Sequence, residues 1–187
     1  DIHCHLLPGI DDGAANWDET LAMARLSVAE GVETIVCTPH QLGSFAHNRG
    51  DEVRALTARV GEYLADQGVP LNVLPGADVR IEDGMIEGLI RGDVLTLGDH
   101  RRHVLLELPH ELYFPLERLL EQLTHRGMVG ILSHPERNQG LQRQPQLIGP
   151  LVDAGCLMQL TAGSLTGGFG PDIQRFSESL LSEGLVH

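Results

Sequence analysis

The chain has 187 residues, 42% hydrophobic and 21% charged, proportions that fit one globular domain spanning residues 1–187 with a substantial core. Its formal net charge of -13, with every one of its 13 basic residues an arginine, disfavours a nucleic-acid partner and excludes a Walker-type phosphate loop and Lys Schiff-base chemistry. Three well-separated cysteines, Cys4, Cys37 and Cys156, argue for a reducing, cytoplasmic compartment; no signal peptide is visible, and no apolar run reaches the ~18 residues of a membrane span.

Strand-like and helix-like runs alternate. The first strand-like run, residues 1–4, carries His3 and leads to His5. Side chains at i and i+2 of an extended segment face the same side, so two imidazoles can meet one metal ion, while Cys4 turns away. In the loop Asp11-Asp12-Gly13, Asp12 either ligates or closes a turn. A helix over 17–30 is signalled by Asn16 as N-cap with Glu19 completing a capping box, by Leu21, Ala24 and Val28 on one face, and by Gly31 as its stop. A strand over 33–38 ends Thr38-Pro39-His40. His47 sits in a polar loop, 43–50, that could border a site.

A second helix covers 51–67 and stops at Gly68. The strand at 71–76 runs on to Asp78, a ligand or the cap of a short helix at 82–91. Next, the strand at 103–108 holds Glu107 among Val104, Leu105, Leu106 and Leu108. A carboxylate in a buried strand needs a partner, and a metal is a natural one. A helix at 115–126 stops at Gly127, and the strand 129–133 leads into His134-Pro135-Glu136-Arg137-Asn138. There Arg137 could clamp two phosphate oxygens or be an ordinary surface arginine. After a helix at 145–154, Gly155 and a strand at 156–160, the stretch Gly163–Gly170 fails to match a dinucleotide fingerprint. It reads as a mobile loop with Thr161 and Ser164 as polar contacts. A helix at 172–183, Gly184 and the start of a seventh strand at Leu185 close the sequence. His100, His103, His110 and His125 read as solvated, and His187 as structural.

Repeated helix–Gly–strand units predict parallel strands joined by right-handed crossovers. An open sheet and a closed barrel both fit the count. The barrel is favoured because polar residues stand at the end of every strand, where barrel active sites form, rather than at one switch point. His3, His5, Asp12, His40, Asp78, Glu107 and His134 form a thiol-poor donor set suited to Mn, Fe or Zn. Seven donors exceed one ion's needs and point to two or three divalent ions, an arrangement used in phosphate hydrolysis. The thiol phosphatase route needs Arg six positions after Cys; the residues there are Ile10, Gly43 and Ala162.

The motifs D-I-H-C-H, P-G-I-D-D-G, T-P-H at 38–40, P-G-A-D at 75–78, Glu107, H-P-E-R-N at 134–138 and G-L-V-H resemble the PHP superfamily. Within it they resemble the bacterial tyrosine phosphatases of CpsB/CapC type, tied to capsule and exopolysaccharide synthesis. The resemblance implies a distorted (β/α)7 barrel whose last strand is incomplete in these residues. It also implies a cluster of up to three metal ions, manganese foremost with iron, magnesium or zinc as alternatives. His3, His5, Asp12, His40, Asp78, Glu107 and His134 fall on metal-site positions, and Arg137 on an arginine of catalysis or phosphate binding. The implied partner is a phosphotyrosine protein, a bacterial tyrosine kinase that regulates polysaccharide synthesis, with no nucleic acid and no membrane insertion; no oligomeric state is set. Two departures stand out: Asp78 replaces a common Glu, and the family's Ser-Asp-x-His motif would follow beyond His187. Competing readings are a phosphoesterase for a small metabolite such as histidinol phosphate, and a catalytically impaired kinase-binding module.

Overall fold

The computed structural model describes residues 1–187. The chain divides into two compact units, Asp1–Val104 and Leu105–His187.

The first unit opens on an extended segment that joins its neighbour through a single parallel bridge, Cys4 with Cys37. Val36 N donates to Asp1 O and Thr38 N to Cys4 O, both at 2.9 Å. The expected first strand is therefore a bridged segment rather than a full ladder. The helix α1 (Trp17–Ala29) follows. Asn16 Oδ1 caps it, accepting from the N–H groups of Asp18 and Glu19 at 3.0 Å. Glu19 reaches back to Ala15 N at 2.9 Å, one residue upstream of the donor a capping box uses. On the expected apolar face, Ala24 is buried while Leu21 and Val28 are half-buried.

The chain continues through β1 (Thr34–Cys37), β2 (His40–Gln41), α2 (Gly50–Asp66), β3 (Asn72–Pro75), β4 (Asp78–Arg80) and α3 (Met85–Arg91). Val53, Thr57, Val60 and Leu64 bury the inner stripe of α2 at the spacing of one helical face. β1 and β3 pair in parallel, Ile35 opposite Val73 and Val36 opposite Leu74. His40 and Asp78, expected to end the second and third strands, instead begin strands of their own. β2 and β4 pair in parallel with His40 opposite Asp78. Pro39 and Gly76 interrupt the longer runs, since proline has no N–H for the ladder. A Cβ on Gly76 would lie 2.7 Å from Val36 Cγ1, so only glycine lets the chain pass β1 there.

The second unit takes up β5 (His103–Glu107), whose first two residues close the first unit. It continues with α4 (Glu117–Thr124), β6 (Val129–Ser133), α5 (Gln139–Arg143), α6 (Ile148–Asp153), β7 (Leu157–Gln159), α7 (Ala162–Leu165) and α8 (Pro171–Ser182). The strand order is β5-β6-β7, with β6 and β7 parallel and Leu132 opposite Met158. Leu105, Leu106, Leu120, Leu123, Leu132, Met158 and Leu180 are buried here; each such side chain contributes roughly 1.5–3 kcal/mol. The helix expected at 145–154 is a 3-10 turn, Pro145–Leu147, running into α6. The glycine-rich stretch, expected as a loop, folds α7 at its start. No strand forms at Leu185; there, His187 N donates to Met158 O at 3.1 Å. Both units thus bear out the α/β reading with parallel strands, and no helix is long and apolar enough to cross a membrane.

Candidate metal centre

Five of the seven expected ligands meet in the first unit. The extended first segment turns His3 and His5 to one side, and their Nε2 atoms lie 3.3 Å apart. Asp78 Oδ2, buried at the start of β4, is 3.5 Å from His3 Nε2 and 3.6 Å from His40 Nδ1. Asp12 Oδ1 is 3.4 Å from His40 Nε2. His3, His5 and Asp78 form one set of convergent donors, and His5, Asp12 and His40 a second; within each set the donor atoms lie within 4.8 Å of one another.

Asp11, not Asp12, organises this cluster. Its side chain is 1% exposed, and its Oδ2 accepts from His5 Nδ1 at 2.7 Å and from His40 N at 3.1 Å. Its Oδ1 accepts from Gly13 N at 3.0 Å, so it is Asp11 that closes the turn with Gly13, the alternative role open to Asp12. An ionised carboxylate only accepts, so His5 Nδ1 carries the hydrogen and Nε2 keeps its lone pair. Burial pushes the Asp11 carboxyl up, but the His5 hydrogen bond and the backbone donors outweigh it and hold Asp11 below the usual range. Burial pushes His5 down, yet the bond to Asp11 and the charges of Asp11, Asp78 and Asp12 leave it raised. The turn also packs directly on His5: a Cβ on Gly13 would collide with His5 O and Cβ. The adjacent loop borders the cluster as expected, through Phe45 rather than His47. Phe45 stacks on His40 at 5.2 Å between ring centroids, and Asn48 Nδ2 ties the loop to His40 O and Ile10 O.

The donor set fits a transition-metal ion. Nitrogens each about 2.0–2.1 Å from one tetrahedral ion stand about 3.3 Å apart, the separation His3 and His5 show. Mixed imidazole and carboxylate donors suit Mn, Fe or Zn. None of the three cysteines joins: Cys4, Cys37 and Cys156 are free thiols, and burial pushes Cys37 up to about 12 and Cys156 to about 11.

The other three expected residues lie in the second unit. Glu107 ends β5, half-buried. His134 follows β6 with its backbone in the left-handed region, φ 36° and ψ 52°, a conformation uncommon for a residue with a Cβ. Arg137 lies in the 3-10 turn Pro135–Arg137, with its guanidinium carbon 4.3 Å from the Phe169 ring centroid.

Sequence reasoning passed over Glu136, which is fully buried. Its Oε1 accepts from Ser164 Oγ at 2.6 Å and Thr161 N at 3.1 Å. Ser164, expected as a polar contact on a mobile loop, is thus a buried tie. Asn138 caps α5 and donates to Pro109 O and Leu112 O. Of the remaining histidines, His100, His110 and His125 are exposed as expected, while His103 is half-buried.

The family model described as capsular polysaccharide synthesis, CpsB/CapC, matches residues 1–187. Tyrosine-protein phosphatase YwqE of Bacillus subtilis is 36% identical over all of this chain and 74% of its own length. A putative tyrosine-protein phosphatase CapC of Staphylococcus aureus is 31% identical over all of this chain and 73% of its own. A crystal structure from work on YwqE of Bacillus subtilis and CpsB of Streptococcus pneumoniae, described as unique metal-dependent tyrosine phosphatases, superposes with a TM-score of 0.95. The match is 36% identical and covers 100% of this chain and 76% of that one.

Proposed function

This chain belongs to the CpsB/CapC family, and on that premise we propose that it is a metal-dependent protein-tyrosine phosphatase. The observation that carries the reading is the convergence of His3, His5, Asp12, His40 and Asp78 on shared donor positions. Divalent cations held there would acidify a bound water and neutralise phosphoryl charge.

The chain's own residues do the rest. His3, His5 and Asp78 would hold one ion, to which His5 gives its single free lone pair, and Asp12 and His40 would help hold a second. Asp78 Oδ2, within 3.6 Å of nitrogens from both His3 and His40, would supply negative charge beside both imidazoles. Asp11 fixes the His5 tautomer and holds the ring. Glu107 and His134 are proposed as further ligands, each at or just past a strand's C-terminal end, where parallel β/α folds carry their chemistry. Arg137 is proposed to bind the phosphoryl oxygens through its edge N–H groups. In the overall reaction water adds to phosphorus as the ester oxygen leaves with the bonding pair and gains a proton. A phenolate leaving group, with a pKa near ~10, asks little of a general acid.

The fold so proposed is a closed PHP-type barrel acting as a single domain in the cytoplasm, holding two or three ions with manganese foremost and taking a phosphotyrosine kinase of polysaccharide synthesis as substrate. To test it, the manganese-loaded protein is assayed with a phosphotyrosine peptide, an aryl phosphate and histidinol phosphate. Preference for the aromatic esters is the expected result. Preference for histidinol phosphate would move the assignment to a metabolite phosphatase, and absence of metal-dependent turnover would end it.

A further inference from the structure

Arg54, Arg91 and Arg175 each pair with an aspartate. Arg137 differs: it is half-buried and makes no ion pair, and the contact of its guanidinium is with the face of Phe169, 4.3 Å from carbon to centroid. Burying a cation against an aromatic face, without a carboxylate, keeps its charge uncompensated for a ligand.

The ring is held there by built structure. Phe169 lies in the turn between α7 and α8 and is 43% exposed. Its Cε2 edge rests on Gly163, where an added Cβ would come within 3.2 Å. The start of that segment is bolted to the residue next to Arg137. Glu136 Oε1 takes both Ser164 Oγ, at 2.6 Å, and Thr161 N, at 3.1 Å. Glu136 and Ser164 are each fully buried. One turn therefore supplies the guanidinium and anchors the segment that carries the ring.

We infer that Phe169 is a positioning residue for Arg137. The ring occupies one face of the guanidinium, fixes its plane and leaves the edge N–H groups to grip a phosphoryl group. The inference rests on the reading of Arg137 as the phosphate binder. A guanidinium held over a ring, 4.3 Å from carbon to centroid, has less freedom left to lose when its edge is engaged.

A double-mutant cycle tests it. Inorganic phosphate is titrated calorimetrically into the manganese-loaded full chain for wild type, Arg137→Ala, Phe169→Leu, the double variant and Phe169→Trp, alongside aryl phosphate kinetics. Phe169→Leu is expected to weaken phosphate binding and raise KM by about 3- to 20-fold, the span of a partly desolvated cation–aromatic contact. Phe169→Trp should stay close to wild type, and Phe169→Leu should add nothing once Arg137 is gone. The Arg137 Nε–H resonance should lose its ring-current shift in Phe169→Leu and keep it in Phe169→Trp. The inference is overturned if Phe169→Leu binds phosphate as wild type does, if its effect persists undiminished in the Arg137→Ala background, or if Trp rescues no better than Leu. Wild-type turnover without metal dependence would count against the metal-dependent reading instead, while the phosphate titrations would still decide the role of Phe169.

Discussion

Each unit buries a carboxylate, Asp11 in the first and Glu136 in the second, and the two keep different company. Asp11, in the first, takes a hydrogen from the His5 ring and from two backbone amides. Glu136, in the second, takes a serine hydroxyl and one amide on a single oxygen, and its Oε2 has no hydrogen-bond partner. A carboxylate bonded to an imidazole sets that ring's tautomer and charge, and so the chemistry of whatever the ring binds. A carboxylate bonded to neutral groups sets where a stretch of backbone sits. Leaving one of its oxygens unengaged in the interior costs free energy, which fits a group retained for placement rather than for stability.

The largest effect is expected from Asp78→Asn. Loss of this carboxylate should lower both bound manganese and turnover by more than the about 10- to 100-fold typical of a residue that merely supports a ligand. Elemental analysis with steady-state kinetics checks it, and unchanged metal content would remove Asp78 from the centre. Asp11→Asn should fall within that about 10- to 100-fold range in metal affinity, measured by manganese titration, with thermal stability less affected than metal binding. Gly13→Ala should mimic it, because the added methyl cannot fit beside His5 without moving the turn that Asp11 closes.

Glu136→Ala sharpens the contrast from the other side. It strands a buried hydroxyl and amide and should lower unfolding free energy by about 1–3 kcal/mol in urea titrations. Metal content should remain at the wild-type level; loss of metal would erase the distinction between the two carboxylates. The smallest effect belongs to Cys4→Ala. Cys4 joins neither convergent set of donors, and no arginine follows it at the spacing a thiol phosphatase needs. Turnover should be preserved and iodoacetamide should not inhibit; clear thiol-dependent inactivation would contradict the metal route.

Much of this was legible in the sequence, for identifiable reasons. His3 and His5 could be paired because alternation in an extended segment is rigid. The repeated helix–Gly–strand order announced parallel strands; Gly31 and Gly155, each with φ 86°, end their helices as read. Short-range pattern failed where only long-range pairing decides. The strands β2 and β4 span two and three residues, too few to show a period, so the pairing of His40 with Asp78 was invisible. In Asp11-Asp12 nothing in sequence says which carboxylate faces His5. The fold gives that place to Asp11 and leaves the Asp12 side chain 72% exposed. Glu136 was hidden between His134 and Arg137, since its partners Thr161 and Ser164 lie beyond a whole strand–helix repeat. The signal that could have found it is charge placement: an acidic residue directly beside an arginine proposed to bind phosphate makes sense only if its carboxylate is turned elsewhere.

The left-handed backbone of His134 carries an evolutionary consequence. Holding a side-chain-bearing residue there stores about 1–3 kcal/mol of torsional strain, and glycine would relax it. Selection for robustness alone would drift this position toward glycine, erasing an imidazole in exchange for a firmer scaffold. A deep mutational scan scored separately for abundance and for catalysis should therefore split at residue 134, with His134→Gly enriched in the first screen and depleted in the second.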